Sequence, residues 1–404
     1  MQDVWDFAVI GGGASGMIAA ISASELGDRV LLLEKNPSLG KKIAASGNGR
    51  CNLMHRIQNR YFGDPVFAEK VMGHFHTENL TAFWKDLGLL LTEESDGRFY
   101  PYTYHSSSVV DALKVRLHKN SVQCRLGEKV DEIGQENASF RITAGGQKWF
   151  ARRILLATGG AAFPKLGGSP CGYSFLQSFG HRVIPPSPAL CPICTDTRSI
   201  SGLAGIRVRC TVSLLDRNRC SVFQTKGELL FTEYGISGIC AMQCARFARQ
   251  GYSVELNLID SLFAGEKDVM KYLKQMRDMN ADCSAEYLLT GILLPKLSYA
   301  VLKQAGIDMR NRKAGTLADA ELQRLSERLR AYSLRIEGTK GLQDSQVTAG
   351  GADCSEFSPD TLESHLVPGL HASGELLNVD GDCGGFNLMF AAATGILSGR
   401  NGRA

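Results

Sequence analysis

The chain has 404 residues, 44% hydrophobic and 21% charged, with 45 basic against 41 acidic side chains and a formal net charge of +4. That length predicts two or three domains, and so even a balance of charge leaves no footprint for nucleic acid or an anionic membrane surface. The longest apolar stretches are strand-length or broken by Gly and charge, too short to span a bilayer, while twelve scattered Cys and an acidic start (Asp3, Asp6) predict reduced thiols in a cytoplasmic protein without a signal peptide.

In chain order, residues 6–10 (DFAVI) read as a buried parallel strand. GGGASG and the helically spaced MIAAISASEL follow, and RVLLLE (29–34) reads as a second buried strand, which makes a βαβ unit. The turn carries Gly11-x-Gly13-x-x-Gly16. In this context the first Gly allows the tight turn, the second lets a pyrophosphate approach the backbone, and the third lets helix and strand pack closely. The helix N-terminus favours the phosphate charge. Glu34, 21 residues past Gly13, is placed to accept from ribose hydroxyls. The fingerprint does not separate FAD from NAD. Residues 41–52, KKIAASGNGRCN, read as neither helix nor strand but as a Gly-dense loop that bends readily and admits close approach.

Residues 66–91 read as helical, and 106–120 as a helix with Ser-type capping. Residues 121–150 alternate and break at Gly145–Gly146, which predicts a small antiparallel hairpin. RRILLATGG (152–160) reads as a further buried strand running into Thr158-Gly159-Gly160. From about Pro185 the chain becomes Pro-rich (PPSPALCPIC) and reads as a linker. Residues 206–231 alternate like strands, 260–335 carry charged helical spacing, and after Gly341 the Gly-rich character returns. Residues 369–395 read as strand, Gly374-Glu375, Gly loop, and helix from about Asn387. A helix N-terminus with an acid beside it suits a ribityl hydroxyl and the electron-rich pyrimidine edge of a flavin. The pattern predicts one α/β domain built from both chain ends and interrupted by a mixed insertion. Cys191-x-x-Cys194 sits in the linker and reads as packing, with a redox pair as the competing reading. Cys240 and Cys244 have the wrong spacing to complete a zinc site with it, so no metal is expected. The eight His show no ligand spacing, and no second strand–GxGxxG–helix unit follows residue 150.

The stretches VIGGGASGM, SGNGRCN, LLATGG, KGELLFTEYGISG, VTAGG and GELLNVDGDCGGFNL span nearly the whole chain. They resemble the FAD flavoproteins that include BaiN-type proteins and aminoacetone oxidase, known as NAD(P)/FAD-dependent oxidoreductases. The resemblance implies an α/β fold: a doubly wound FAD domain of glutathione-reductase type from residues 1–190 and 340–404, an inserted β-barrel-like domain (191–259 and 310–339), and a small helical domain (260–309). It implies FAD held by Gly11, Gly13, Ala14, Ser15, Gly16, Glu34 and Lys35, then by Lys42, Gly47, Gly49, Arg50, Cys51 and Asn52. Val130, whose backbone would read the adenine, Thr158 and Gly159 add to these, as do Gly374, Glu375, Asp380, Gly385, Asn387 and Leu388. Lys42 and Arg50 would balance phosphate charge, and Cys51 would be a wall of the site.

The sequence departs from relatives at Glu233, where many carry His, and near Ile239-Cys240, where a Pro is common. Tyr173, Thr232 and Glu233 lie in polar, Gly-flanked stretches outside the FAD motifs and are the substrate-side candidates; structural turn residues is the competing reading. The expected activity is hydride transfer between flavin and a small organic substrate, foremost a C=C bond of a steroid- or bile-acid-like enone. NAD(P)H would be a transient donor without a domain of its own. An oxygen-using amine oxidase, and a flavoprotein acting on RNA or a protein partner, are the alternatives. A small molecule is the expected partner, with no nucleic acid and no membrane.

Overall fold

A computed structural model describes residues 4–136, 139–263, 265–307, 309 and 312–401. The chain divides into two units, Met1–Pro188 with Ser345–Ala404, and Ala189–Asp344. Among the described residues no helix is long and apolar enough to cross a membrane.

The first unit has a Rossmann-type α/β fold. Strand β1 (Val4–Ile10), helix α1 (Ala14–Glu25) and strand β2 (Val30–Glu34) form the expected βαβ unit. Phe7, Ala8, Val9 and Leu31–Leu33 are buried, as befits a parallel sheet covered on both faces. The seven-stranded sheet runs Gln123–Leu126, β2, β1, β3 (Gln147–Leu156), Ser139–Ala144, Val130–Glu136, with β4 (Leu370–Ala372) pairing with β3 as a branch. Strand β3 replaces two expected elements by one. Its first half is the antiparallel partner of Ser139–Ala144, and its second half lies parallel to β1 and β4. Neither Gly nor Pro interrupts 147–156, so nothing stops the hairpin arm from continuing into the core.

Helix α2 (Phe386–Arg400) packs along α1. Both are apolar or small on nearly every side, as a helix buried all round must be. The crossing is built on glycine. A Cβ on Gly395 would lie 2.6 Å from the Ser15 carbonyl oxygen, and one on Gly399 2.5 Å from that of Ala19. His371 of β4 is fully buried. Its Nδ1 faces the Thr361 carbonyl at 3.1 Å, its Nε2 has no partner, and its ring meets Phe7 edge-on. Burial, and then the Arg153 charge, push its pKa down to about 4.

Several local expectations change. Residues 66–91 form two helices, Pro65–Gly73 and Thr77–Asp86, and then a short strand. Helix Ser106–Lys119 has no side-chain cap, because its N-cap is His105; Ser106 is already in the first turn, and its hydroxyl donates to the Ala44 carbonyl at 2.7 Å. The Pro-rich segment is largely strand. Val183–Ala189 pairs with Val347–Ala352, and Ile193–Thr195 opens the second unit's barrel. Pro donates no ladder bond, and the pair is a sheet of two strands in which every strand is an edge. Residues 41–52 begin with one helical turn, Lys41–Ala45, before the Gly cluster stops it.

The second unit holds a closed six-stranded barrel ordered Ile193–Thr195, Gly235–Ser237, Ser221–Phe231, Arg207–Leu215, Ser253–Asn257, Tyr332–Thr339. The expected helical stretch gives Glu266–Met279, Pro295–Gln304 and Asp319–Arg330, but ends where Tyr332 enters a strand. One apolar cluster runs from Val212, Phe231 and Ile336 in the barrel to Leu273, Val301 and Leu325 in the helices.

Gly395→Ala forces a methyl against backbone that no side-chain rotation relieves. It should lower unfolding free energy by about 1–3 kcal/mol in chemical denaturation. His371 is neutral when folded and has a lowered pKa, so the unfolded chain binds more protons between pH 6.5 and 4. Stability therefore falls as pH drops through that window, by about 2 kcal/mol from this group at pH 5, and His371→Gln should flatten the pH dependence of the denaturation midpoint.

Candidate cofactor site

The GGGASG turn is set by backbone contacts. Gly11 has φ +114°, and a Cβ there would lie 2.4 Å from the Ala157 carbonyl oxygen; one on Gly16 would lie 1.9 Å from the Gly11 carbonyl oxygen. The second glycine differs, since nothing lies within 4 Å of a Cβ on Gly13. Gly13 is the N-cap of α1 and offers no side-chain cap, so the helix begins without a side-chain acceptor beside open space. Ala14 and Ser15 form its first turn. Glu34, buried at the end of β2, accepts from Gly12 N (2.6 Å) through one oxygen and from Asn36 N (2.7 Å) and Nδ2 (2.6 Å) through the other. The carboxylate thereby pins the turn to β2. Lys35 is half-buried beside it. The backbone of Glu34 and Asn36 accepts from Glu128 and Gly127, which leads the chain past this corner to Val130, buried opposite Ala144.

The 41–52 segment closes on the C-terminal motif. Lys42 Nζ lies 2.7 Å from Glu375 Oε2, although 333 residues separate them. Thr348 N and Oγ1 donate to Glu375 Oε1 at 3.0 and 2.8 Å. Gly47, Asn48, Gly49 and Cys51 all have positive φ. A Cβ on Gly49 would meet nothing, while one on Gly47 would lie 3.2 Å from Asn52 N. Arg50, expected to balance phosphate charge, lies among partners of its own. It is half-exposed, pairs with Glu94 at 2.9 Å, and lies over the Tyr100 and Tyr104 rings at 4.7 and 4.6 Å. Two aromatic faces and a carboxylate hold it there.

Cys51 is fully buried, and burial pushes its thiol up to about 11 against a weaker opposing bond from Ser46. Asn52 Oδ1 is buried without a partner, at the spot 2.6 Å from where Gly385 would carry a Cβ. Gly385 is the N-cap of α2, again with no side-chain cap. The Asn387 side chain is spent on the loop itself: Gly381 N donates to its Oδ1 at 2.8 Å and its Nδ2 donates to Gly381 O at 2.9 Å. Leu388 is half-buried in the first turn. Asp380 is buried in Val379–Gly381, which pairs with Tyr61–Gly63.

The Thr158-Gly159-Gly160 and Gly374-Glu375 turns adjoin. A Cβ on Gly159 would meet open space, whereas one on Gly160 would strike Thr348 Oγ1 and Glu375 Oε1. Gly374, at φ +63°, sits against Ser15 Oγ. Of the substrate-side candidates, Tyr173 belongs to this unit, in helix Cys171–Ser178, with a buried and unpartnered hydroxyl. Thr232 and Glu233 lie in the second unit, in the turn after Ser221–Phe231. Thr232 N donates to Gly235 O at 2.9 Å, its hydroxyl is buried without a partner, and Glu233 is exposed. No disulfide joins Cys191 to Cys194, and among the described residues no cluster of His, Cys, Asp and Glu could hold a metal. Sequence reading missed Thr348, Asn36, Glu94 and the Tyr100–Tyr104 pair. VTAGG was visible as a stretch, but a Thr bonding a carboxylate 27 residues away leaves no local pattern.

Residues 5–401 match the model of a family described as HI0933-like protein Rossmann domain. The chain is 36% identical to a 3-dehydro-bile acid delta(4,6)-reductase of Clostridium scindens, over 97% of both chains. It is 29% identical to a ribosomal RNA dihydrouridine synthase of Escherichia coli, over 96% of this chain and 95% of the relative. Among solved structures, a 3-ketosteroid-delta4-(5alpha)-dehydrogenase of Rhodococcus jostii RHA1 shares the fold at TM-score 0.54 and 16% identity, over 100% of this chain and 97% of that one.

The environment of Cys51 makes it inert despite its position. Alkylation of the native protein at pH 8 should mark the exposed Cys220 and Cys283 first, with Cys51 at least about a hundredfold slower until denaturant is added, as peptide mass spectrometry would read.

Proposed function

The chain belongs to the HI0933-like Rossmann-domain family of FAD-dependent oxidoreductases, and from that premise we propose that it reduces a carbon–carbon double bond conjugated to a carbonyl in a small sterol-like substrate. The observation that carries this reading is the 36% identity to a bile-acid 4,6-reductase over 97% of both chains. The relatives named for dihydrouridine support the same bond chemistry. Dihydrouridine is uridine whose ring double bond, also conjugated to a carbonyl, has been saturated.

The residues present fit FAD. Gly13 leaves room for a diphosphate, and the start of α1 supplies N–H donors and the positive end of a helix. Glu34 would take ribose hydroxyls by exchanging its bond to the Asn36 side chain. The start of α2 would offer donors and positive potential to the pyrimidine edge of the ring. Asn52 Oδ1, buried and unpartnered, is an acceptor waiting for a ring N–H. FAD, when bound, supplies the hydride chemistry; the chain holds, orients and shields it. Lys42 pairs with Glu375, and backbone N–H groups at the start of α1 would meet the diphosphate charge. NAD(P)H as donor would dock transiently at the flavin, since the sequence holds no second dinucleotide fingerprint that would give it a domain of its own.

A second reading, reduction of uridine within RNA, is favoured by two relatives of that name at 29% and 27% identity. The test is to reduce the flavin-loaded protein without oxygen and then mix it separately with a 4-ene-3-one steroid, with uridine-containing RNA, and with oxygen. Fast reoxidation by the steroid and slow reoxidation by oxygen is the expected result. Rapid turnover with oxygen alone would make the protein an oxidase, and reoxidation by RNA alone would favour the second reading. A protein that takes up no FAD would end both.

A further inference from the structure

We propose that Tyr173 and Thr348, which lie outside the Gly fingerprint, form a second clasp on the cofactor's sugar–phosphate chain: the Tyr173 hydroxyl donates to an oxygen of that chain, and Thr348 holds the Glu375 carboxylate in position to accept from one. The inference rests on FAD as the bound group and deepens that reading.

Thr348 is fully buried and makes three hydrogen bonds. Its N and Oγ1 donate to Glu375 Oε1 at 3.0 and 2.8 Å, and its Oγ1 accepts from Ala162 N at 2.9 Å. Lys42 holds the other carboxylate oxygen at 2.7 Å. The carboxylate is thus clamped from two sides: Oε1 is filled by its two donors from Thr348, while Oε2, met by Lys42 alone, keeps a lone pair for a further donor. Tyr173 is 4% exposed, and its hydroxyl has no hydrogen-bond partner. The Ala161 backbone and the Thr348 side chain lie beside its oxygen and weakly favour the ionised phenol, Glu375 lies within electrostatic reach, and no group takes the phenol's own proton. Burial and then the Glu375 charge raise the phenol well above its ordinary value, so it is a proton donor at neutral pH.

A buried donor left without an acceptor is costly, and native structures rarely keep one unless a ligand or ion completes it. The open neighbour is the Gly turn at 159–160. Gly160 touches both Thr348 and Glu375, and Gly159 faces free space. This turn follows the C-terminal end of β3, the edge at which an open α/β sheet takes its ligand.

The test uses full-length protein stripped of flavin, with affinity read from quenching of FAD fluorescence. Tyr173→Phe and Thr348→Val should each bind FAD about tenfold more weakly, and Thr348→Ser, which keeps the hydroxyl, should bind like the parent. Tyr173→Phe should leave the melting temperature of the FAD-free protein unchanged or raised, since it removes an unsatisfied group. Unaltered FAD affinity in Tyr173→Phe overturns the proposal; if kcat falls in that same variant, the residue belongs to the substrate. A large loss of melting temperature in FAD-free Tyr173→Phe would make the hydroxyl structural and overturn it too. Failure of the parent to bind FAD would instead sink the underlying reading.

Discussion

Backbone lying directly on backbone at one edge of the sheet is the constraint on which the first unit depends. Gly11 meets the Ala157 carbonyl, Gly16 the Gly11 carbonyl and Gly395 the Ser15 carbonyl, while Gly374 lies against the Ser15 side chain. These contacts hold the start of α1 against the turns after β3 and β4 and against the middle of α2. Each of the two helices begins at a glycine with no side chain to cap it. Cβ atoms would push these segments apart and fill the space they share. The same absence of side chains leaves N–H groups and helix ends as the principal electrostatic features there, which suits a long, anionic, hydroxyl-rich ligand.

Around that frame the charged groups serve mainly to fasten. Glu34 ties the Gly turn to β2, and Lys42, Thr348 and Glu375 tie three distant segments together. A carboxylate accepting two or three hydrogen bonds is held in one orientation, so the groups that would meet a ligand are fixed before it arrives. Arg50 belongs to a different cluster, where Tyr100, Tyr104 and Glu94 hold it at a half-exposed position.

Much of this was legible in the residues. The strand–Gly turn–helix–strand pattern of 4–34 and the Gly loop before α2 are local signals, in which spacing alone dictates geometry. The fused strand β3 was not legible as one element, because hairpin alternation and a continuous apolar run look like separate strands when read piecewise. The Pro-rich segment at 183–189 read as linker because pairing with 347–352 is a tertiary event. Side-chain destinations were least visible. Nothing near Lys42 announces Glu375, and nothing near Arg50 announces two tyrosines half a hundred residues on, since long cations take whichever partner the fold delivers. Asn387 shows the same limit: its type and place were found, but its side chain bonds its own loop.

The position of α2 and β4 in the chain bears on how the molecule is made. Both lie in the stretch after Ser345, and α1, apolar on nearly every side, has α2 as its cover. On the ribosome, βαβ residues 4–34 emerge early, yet the helix that shields α1 is synthesised hundreds of residues later. The continuous segment Ala189–Asp344 has its barrel strands and helices complete before then. Long-range closure of this kind is slow and keeps apolar surface uncovered meanwhile. The nascent first unit therefore leaves α1 without its main cover until the stretch after Ser345 has been made.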